Sequence, residues 1–229
     1  MYPTQAEARH LALIPNQWVK ATWDDYVALR DHPTLAKAKS YYFAGKMRFE
    51  DLEVAQESGE THRVVGSDHA RAHHFLIGLL SILGAVKSIP MVGLDNCSYT
   101  KSGFREVQPD SSIYLGERSD SIQNTSSVID LDDYLPPDLV IEIAVSSLAD
   151  DLGPKRLLYE AIQVSEYWIV DAKDSKIYAF QIIDQGSIQI QTSQVLAGLE
   201  LSLVEEALWR SRSVNQSQVN AWLLAQFQL

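Results

Sequence analysis

The chain has 229 residues, 46% of them hydrophobic, enough to bury the core of one ordinary domain. Its net charge of −11 argues against a nucleic-acid binder, since phosphate contacts need Lys and Arg, but a local basic stripe can coexist with an acidic surface. The single cysteine, Cys97, rules out an internal disulfide framework and fits a reducing, cytoplasmic setting. No apolar run reaches the roughly 18 residues of a membrane span, and the N-terminus lacks the basic-then-apolar order of a signal peptide, so no membrane partner is expected.

Residues 1–20, with Pro3 and Pro15, read as a loose leader, and 21–229 as a single domain. Thr22 is placed to cap a short helix through Arg30, with acids in its first turn. Tyr41 to Phe49 reads as two strands around a turn at Ala44-Gly45-Lys46. Residues 55–68 are polar and loop-like. His69 to Val86 is the clearest long helix, with Ala72, Leu76, Leu79, Leu80 and Leu83 in one stripe.

Short strands are expected at Met91–Asn96, Val107–Tyr114, Leu139–Ala144 and Tyr167–Val170. Residues 118–137 read as a polar insert. Leu152 to Ile162 reads as a helix with Pro154 in its first turn. Strand, helix and strand within about 35 residues make a βαβ unit, whose two strands lie parallel. Lys176–Ile183 and Ser187–Gln191 suggest a hairpin turning at 184–186. Val214–Phe227 suggests a C-terminal helix with Trp222 and Leu223 on its apolar face. The expected class is therefore α/β, with a central mixed sheet, the 69–86 helix on one face and the 152–162 helix on the other.

Glu142 sits in the apolar run Asp138-Leu-Val-Ile-Glu-Ile-Ala144. A carboxylate in a buried strand is costly unless a cation or several donors compensate it. Strand alternation puts Val140, Glu142 and Ala144 on one face and Leu139, Ile141 and Ile143 on the other. Asp110, in Gln-Pro-Asp-Ser, opens an earlier strand. Acids on neighbouring strands can share one hard divalent cation such as Mg²⁺ or Mn²⁺, with the Ile143 carbonyl as a further ligand. Such an ion can activate water and stabilise charge on a phosphate. Lys155 shares a helix face with Tyr159 and is placed to position the water or offset the developing charge. Each residue alone also has an ordinary reading: Asp110 as a turn acid, Glu142 as half-exposed on an edge strand, Lys155 as solvated.

Four blocks occur in order: Gln-Pro-Asp110; Pro-Pro-Asp-Leu-Val-Ile-Glu142-Ile; Ser-Ser-Leu-Ala-Asp-Asp-Leu-Gly-Pro-Lys155-Arg-Leu-Leu-Tyr159; and Val-Ser-Glu-Tyr-Trp-Ile-Val-Asp171. Residues 107–171 with these blocks resemble the Uma-type putative restriction endonuclease family, a former domain of unknown function in the PD-(D/E)xK nuclease superfamily. Weaker similarity reaches back to Trp23-Asp-Asp-Tyr26, Tyr41–Glu50 and Asp68-His69-Ala70. The resemblance implies a restriction-endonuclease-like core, metal-dependent hydrolysis of DNA, Asp110 and Glu142 as metal ligands and Lys155 as the signature lysine. The superfamily usually places lysine two residues after the second acid, where this chain has Ala144; the family's lysine is moved to the following helix. Many relatives carry an acid in the strand before the glycine matching Gly45. This chain has none there, and Glu50 is the substitute candidate. His69 is a further candidate for the edge of the site. Lys155, Arg156, Lys46, Arg48, Lys101 and Arg105 are candidates for a phosphate-contacting patch, which the homodimer common in this superfamily would double.

His69 and His73 also have the i, i+4 spacing of a helical zinc pair, but Ala70 stands where a zincin has Glu. Tyr167 and Trp168 read as core, Asp171 as a turn residue. No nucleophile-elbow or phosphate-loop motif is present. Two other readings stay open: a catalytically silent binding or scaffolding module, and a non-nuclease hydrolase or plain interaction domain with solvated acids. Convergence of Asp110, Glu142 and Lys155 beside a cleft favours the enzyme. Separation, or salt-bridging closed to solvent, favours the silent module.

Overall fold

The computed structural model describes residues 14–33, 35, 38–50, 52–54, 61–63, 65–101, 103, 105–122, 128–184, 186–196 and 198–228. In chain order its first elements are β1 (Val19–Lys20), α1 (Trp23–Arg30), β2 (Lys39–Phe43), β3 (Lys46–Glu50), β4 (Leu52–Val54), β5 (Thr61–Arg63) and α2 (Ser67–Lys87). There follow β6 (Met91–Asp95), β7 (Tyr99–Lys101), β8 (Arg105–Val107), β9 (Ser111–Leu115), α3 (Glu117–Ile122), β10 (Ile129–Asp130) and β11 (Leu139–Ala144). The last are α4 (Leu148–Asp150), a π-helical turn (Asp151–Lys155), α5 (Arg156–Ile162), β12 (Glu166–Asp171), β13 (Lys176–Ile183), β14 (Gly186–Ile190), α6 (Leu201–Arg210) and α7 (Gln216–Phe227).

These elements fall into two units. One is drawn from Met1–Val65, Ser98–Gln108 and Val128–Asp132, the other from Gly66–Cys97, Pro109–Ser127 and Asp133–Leu229. In the first, the described strands order as β1-β3-β2-β8-β7-β10. Thr22 and Asp25 form the capping box that starts α1, each satisfying the other's backbone N–H. Tyr26 and Leu29 then pack on Tyr42, Met47 and Phe49. The β2–β3 hairpin closes through Ala44 and Gly45, both at positive φ, as a two-residue primed turn requires. β4 pairs with β5 as a separate ribbon.

In the second unit the described strands order as β14-β13-β12-β11-β9-β6. β11 and β12 run parallel, joined through α4 and α5; the other pairs are antiparallel. Leu139, Ile141 and Ile143 enter a core with Phe75, Leu76, Leu79, Leu80 and Leu83 of α2 and with apolar residues of α6 and α7. The opposite face of β11 carries Glu142 towards α5. The sequence-based expectation of a mixed sheet with a helix on each face is met.

The differences have local causes. Val107–Tyr114 is two strands, β8 and β9, because Gln108-Pro109-Asp110 interrupts the ladder and Pro109 has no N–H to give it. The crossover helix starts at Leu148, not Leu152. Pro154 therefore falls inside it, within the π-helical turn, where the missing N–H is accommodated. The insert at 118–137 contains most of α3 and all of β10. α6 was not anticipated, although Leu201, Val204 and Leu208 have helical spacing and are buried. Of the leader expected at 1–20, residues 1–13 lie outside the described residues, while Val19–Lys20 pair with β3. Tyr167 and Trp168 are fully buried, and Asp171 Oδ1 accepts the N–H groups of Lys173 and Asp174 in a turn.

Candidate active site

β9 and β11 pair with Ile141 opposite Ser111 and Val140 opposite Ser112. One further step of that antiparallel register sets Glu142 across from Asp110. At that step the backbone ladder gives way to a side chain: the Ile143 N–H donates to Asp110 Oδ2 at 2.7 Å. The proline that ends β8 thus frees Asp110 to turn its carboxylate onto β11. On its other oxygen, Oδ1 lies 3.5 Å from His69 Nε2, contributed by the first turns of α2.

The crossover segment supplies the rest. Asp151, Lys155 and Tyr159 follow one another at four-residue spacing and converge on Glu142. The Tyr159 hydroxyl donates to Glu142 Oε1 at 2.7 Å. Lys155 Nζ lies 3.6 Å from Glu142 Oε1 and 2.9 Å from Asp151 Oδ1. Asp151 Oδ2 accepts the Ser147 hydroxyl at 2.6 Å, and its backbone carbonyl accepts from Tyr167. Tyr167 also packs on Tyr159, with ring centroids 4.6 Å apart.

The group is shut away from solvent: Asp110 is 3% exposed, Glu142 and Lys155 1%, Asp151 0%. Burial first, and then the Glu142 carboxylate, push the Tyr159 hydroxyl well above the usual tyrosine range; Asp110 adds to the same effect. Tyr159 therefore stays protonated and acts as a donor. Both acids lie near enough to it to be felt.

Sequence reasoning proposed Asp110, Glu142, Lys155, His69 and Tyr159, and the second unit brings all five to one cluster. It missed Asp151, whose signal was its i, i+4 relation to Lys155. Glu50 lies in the first unit, buried, with Arg48 Nε at 2.8 Å and Lys39 Nζ at 3.9 Å. Of the proposed basic patch, Arg48 and Lys155 are buried in ion pairs and do not present their charge to solvent. Lys46 is exposed; Lys101, Arg105 and Arg156 are half-buried. Lys46, Arg48, Lys101 and Arg105 belong to the first unit, Lys155 and Arg156 to the second. The histidines do not chelate together: His69 faces Asp110, while His73 Nε2 lies 3.4 Å from Asp95.

Two carboxylates and a neighbouring backbone carbonyl are the hard oxygen donors a small divalent cation takes. Among the described residues no group of three or more His, Cys, Asp or Glu side chains gathers as a metal site by itself. Chemistry supports the fit: Asp110 and Glu142 are buried carboxylates at adjacent strands, Asp110 faces His69, and Glu142 shares the Lys155 ammonium with Asp151.

A family model described as "Uma2: Putative restriction endonuclease" matches residues 50–215, most of the chain. The chain belongs to the Uma2 family. The matched span holds Asp110, Glu142, Asp151, Lys155 and Tyr159, so the whole cluster is Uma2 sequence. The structure is similar to the crystal structure of a putative nuclease belonging to DUF820 from Anabaena variabilis ATCC 29413, at 15% identity and a TM-score of 0.51. That match covers 89% of this chain and 99% of the other, so the likeness is one of fold across nearly the whole length. No curated protein matches the chain. The Uma2 fold here is a mixed α/β core of the restriction-endonuclease-like kind. Among the described residues no helix is long and apolar enough to cross a membrane.

Proposed function

We propose that this protein is a Mg²⁺-dependent endonuclease that hydrolyses DNA phosphodiester bonds. One observation carries the reading: the Asp110 carboxylate is hydrogen-bonded to the Ile143 N–H, beside Glu142, whose own carboxylate meets Lys155. These are the two acids and the lysine that the family resemblance implies as the site, and their proximity supports the reading. Asp110, Glu142 and the Ile143 carbonyl would hold the Mg²⁺ or Mn²⁺. The bound ion supplies an activated water and offsets charge on the phosphate. Tyr159 fixes the orientation of Glu142, and His69 that of Asp110. Lys155 brings a positive charge, placed to neutralise the oxygen charge that develops as the phosphorus takes on the incoming water. Arg156, Lys46, Lys101 and Arg105 are the remaining candidates for contacts to phosphates away from the cleaved bond, on a homodimer.

The test is cleavage of plasmid and linear duplex DNA by the full chain with Mg²⁺, beside Asp110→Asn and Glu142→Gln. The expected result is wild-type cleavage that EDTA abolishes and both variants lack. Cleavage retained in both variants would overturn the assignment of the site.

Burial favours a second reading, a catalytically silent binding or scaffolding module. Asp110, Glu142 and Lys155 are nearly inaccessible and the latter two are ion-paired, which is how a purely structural cluster would look. A well-folded wild type that neither cleaves nucleic acid nor takes up Mn²⁺ supports that alternative.

A further inference from the structure

Lys155 stands between two buried carboxylates, and it does not stand midway. It is 0.7 Å nearer to Asp151 (3.6 − 2.9) than to Glu142. Asp151 is itself fixed: the Ser147 hydroxyl holds its second oxygen, and Tyr167 holds its backbone carbonyl. The π-helical turn, Asp151–Lys155, spans the two residues and sets their separation. π-Turns inside helices are frequent at functional sites because they re-aim the side chains they carry.

We infer that Asp151 is a positioning residue that draws the Lys155 ammonium off Glu142 and so keeps Glu142 available to a divalent cation. The inference rests on the cation site of the proposed function and adds to it a residue outside the two acids and the lysine. Apart from Asp151, the carboxylate shown within reach of the buried ammonium is that of Glu142. Without the Asp151 charge, Lys155 would close onto Glu142 and compete with the cation for its carboxylate. With Asp151 in place, the ammonium is held beside the cation position without filling it. Asp151 thus acts on cation affinity through Lys155, and a direct through-space effect of its own charge is the alternative to be separated.

The experiment is calorimetric titration of Mn²⁺ into the full-length protein, with thermal melts to establish folding. Five forms are compared: wild type, Asp151→Asn, Lys155→Gln, the double variant and Asp151→Glu. Asp151→Asn is expected to weaken Mn²⁺ binding about tenfold, a coupling of ordinary size for charges in contact. Lys155→Gln is expected to tighten it, because it removes the competing cation. In the Lys155→Gln background, Asp151→Asn should change affinity by less than about threefold, leaving only the direct charge effect. Asp151→Glu should restore binding when Lys155 is present. If Asp151→Asn does not fold, Ser147→Ala, which loosens Asp151 without removing its charge, carries the test and should weaken binding in the same Lys155-dependent way.

Unchanged affinity in Asp151→Asn, or equal weakening with and without Lys155, overturns the inference and leaves the nuclease reading standing. The expected binding pattern without any DNA cleavage supports the inference and removes the nuclease reading. A wild type that binds no Mn²⁺ overturns both.

Discussion

The Tyr159 hydroxyl donates to Glu142 Oε1 at 2.7 Å, with both residues almost wholly inside the protein. A helix side chain seventeen residues along the chain thus stabilises the one acid of β11. It does so as a neutral donor, since burial and the two nearby acids oppose its ionisation. Hydrogen bonds to charged groups are the strong ones, and a buried acceptor that loses its donor is expensive.

Tyr159→Phe should therefore lower stability by about 1.5–3 kcal/mol at neutral pH, measured by urea denaturation. A pH effect should accompany it. The tyrosine's folded pKa is raised, so its contribution to stability is complete below the unfolded value near 10 and is lost as pH rises through the folded value. The phenylalanine variant lacks that loss, and the stability gap between the two proteins should narrow above pH 10. A gap that stays constant to pH 11 would contradict the assigned protonation state.

Glu142 and Asp110 are buried carboxylates at adjacent strands, while Lys155 is a buried ammonium paired with Glu142 and Asp151, so two substitutions should behave oppositely. Glu142→Gln removes one of the crowded charges and keeps an acceptor for Tyr159. It should raise the melting temperature of the metal-free protein, corresponding to roughly 1 kcal/mol. It should also abolish any further rise with Mg²⁺. Lys155→Met removes the only ammonium shown in the cluster and should cost about 3–5 kcal/mol. A Glu142→Gln protein that melts below wild type and is still raised by Mg²⁺ would make Glu142 structural.

A second buried acid provides a control away from the site. Glu166 is fully buried; it accepts from Trp168 Nε1 and from the backbone N–H groups of Gln194 and Val195. Glu166→Ala leaves three donors without this acceptor and should destabilise by about 3 kcal/mol or more, without changing Mn²⁺ affinity. Loss of Mn²⁺ binding in a folded Glu166→Ala protein would show that cation affinity tracks overall stability, not the Asp110–Glu142 cluster.

Much of this fold is legible because its signals are local. The alternation of Leu139 to Ala144 places Glu142 opposite the α2 core, and the stripe in α2 is unbroken. Thr22 with Asp25 announces α1. The clustering of the candidate residues was legible through the order of Asp110, Glu142, Lys155 and Tyr159. What escaped depends on long-range geometry. Pro109 was a local signal that the apparent strand breaks, but nothing local says that its two halves join different sheets. Nor does local sequence say that Pro154 sits in a widened turn, although the i, i+4 spacing of Asp151 and Lys155 was a local signal that they meet. Arg48 looked like a surface cation, and only the buried pairing with Glu50 removes it from the patch.

The last prediction concerns how a protein of net charge −11 holds an acidic polymer. Two of the cations first assigned to phosphate contacts, Arg48 and Lys155, are committed to buried carboxylates. Of the rest, Lys101 lies 3.7 Å from Asp132, and Arg156 lies 3.8 Å from Glu160 and over the Phe180 ring. Few phosphates can be neutralised per chain, so few counterions are released. Affinity for duplex DNA should be weak without divalent ions and should fall as salt rises. The slope of log affinity against log salt should be shallow, on the order of −3 to −5. Filter binding at several salt concentrations, with Ca²⁺ in place of Mg²⁺ to block cleavage, measures it. Arg156→Gln should make the slope shallower by about 1 if it contacts a phosphate. No detectable binding to any duplex or single strand at low salt with Ca²⁺ would turn the assignment to the silent module.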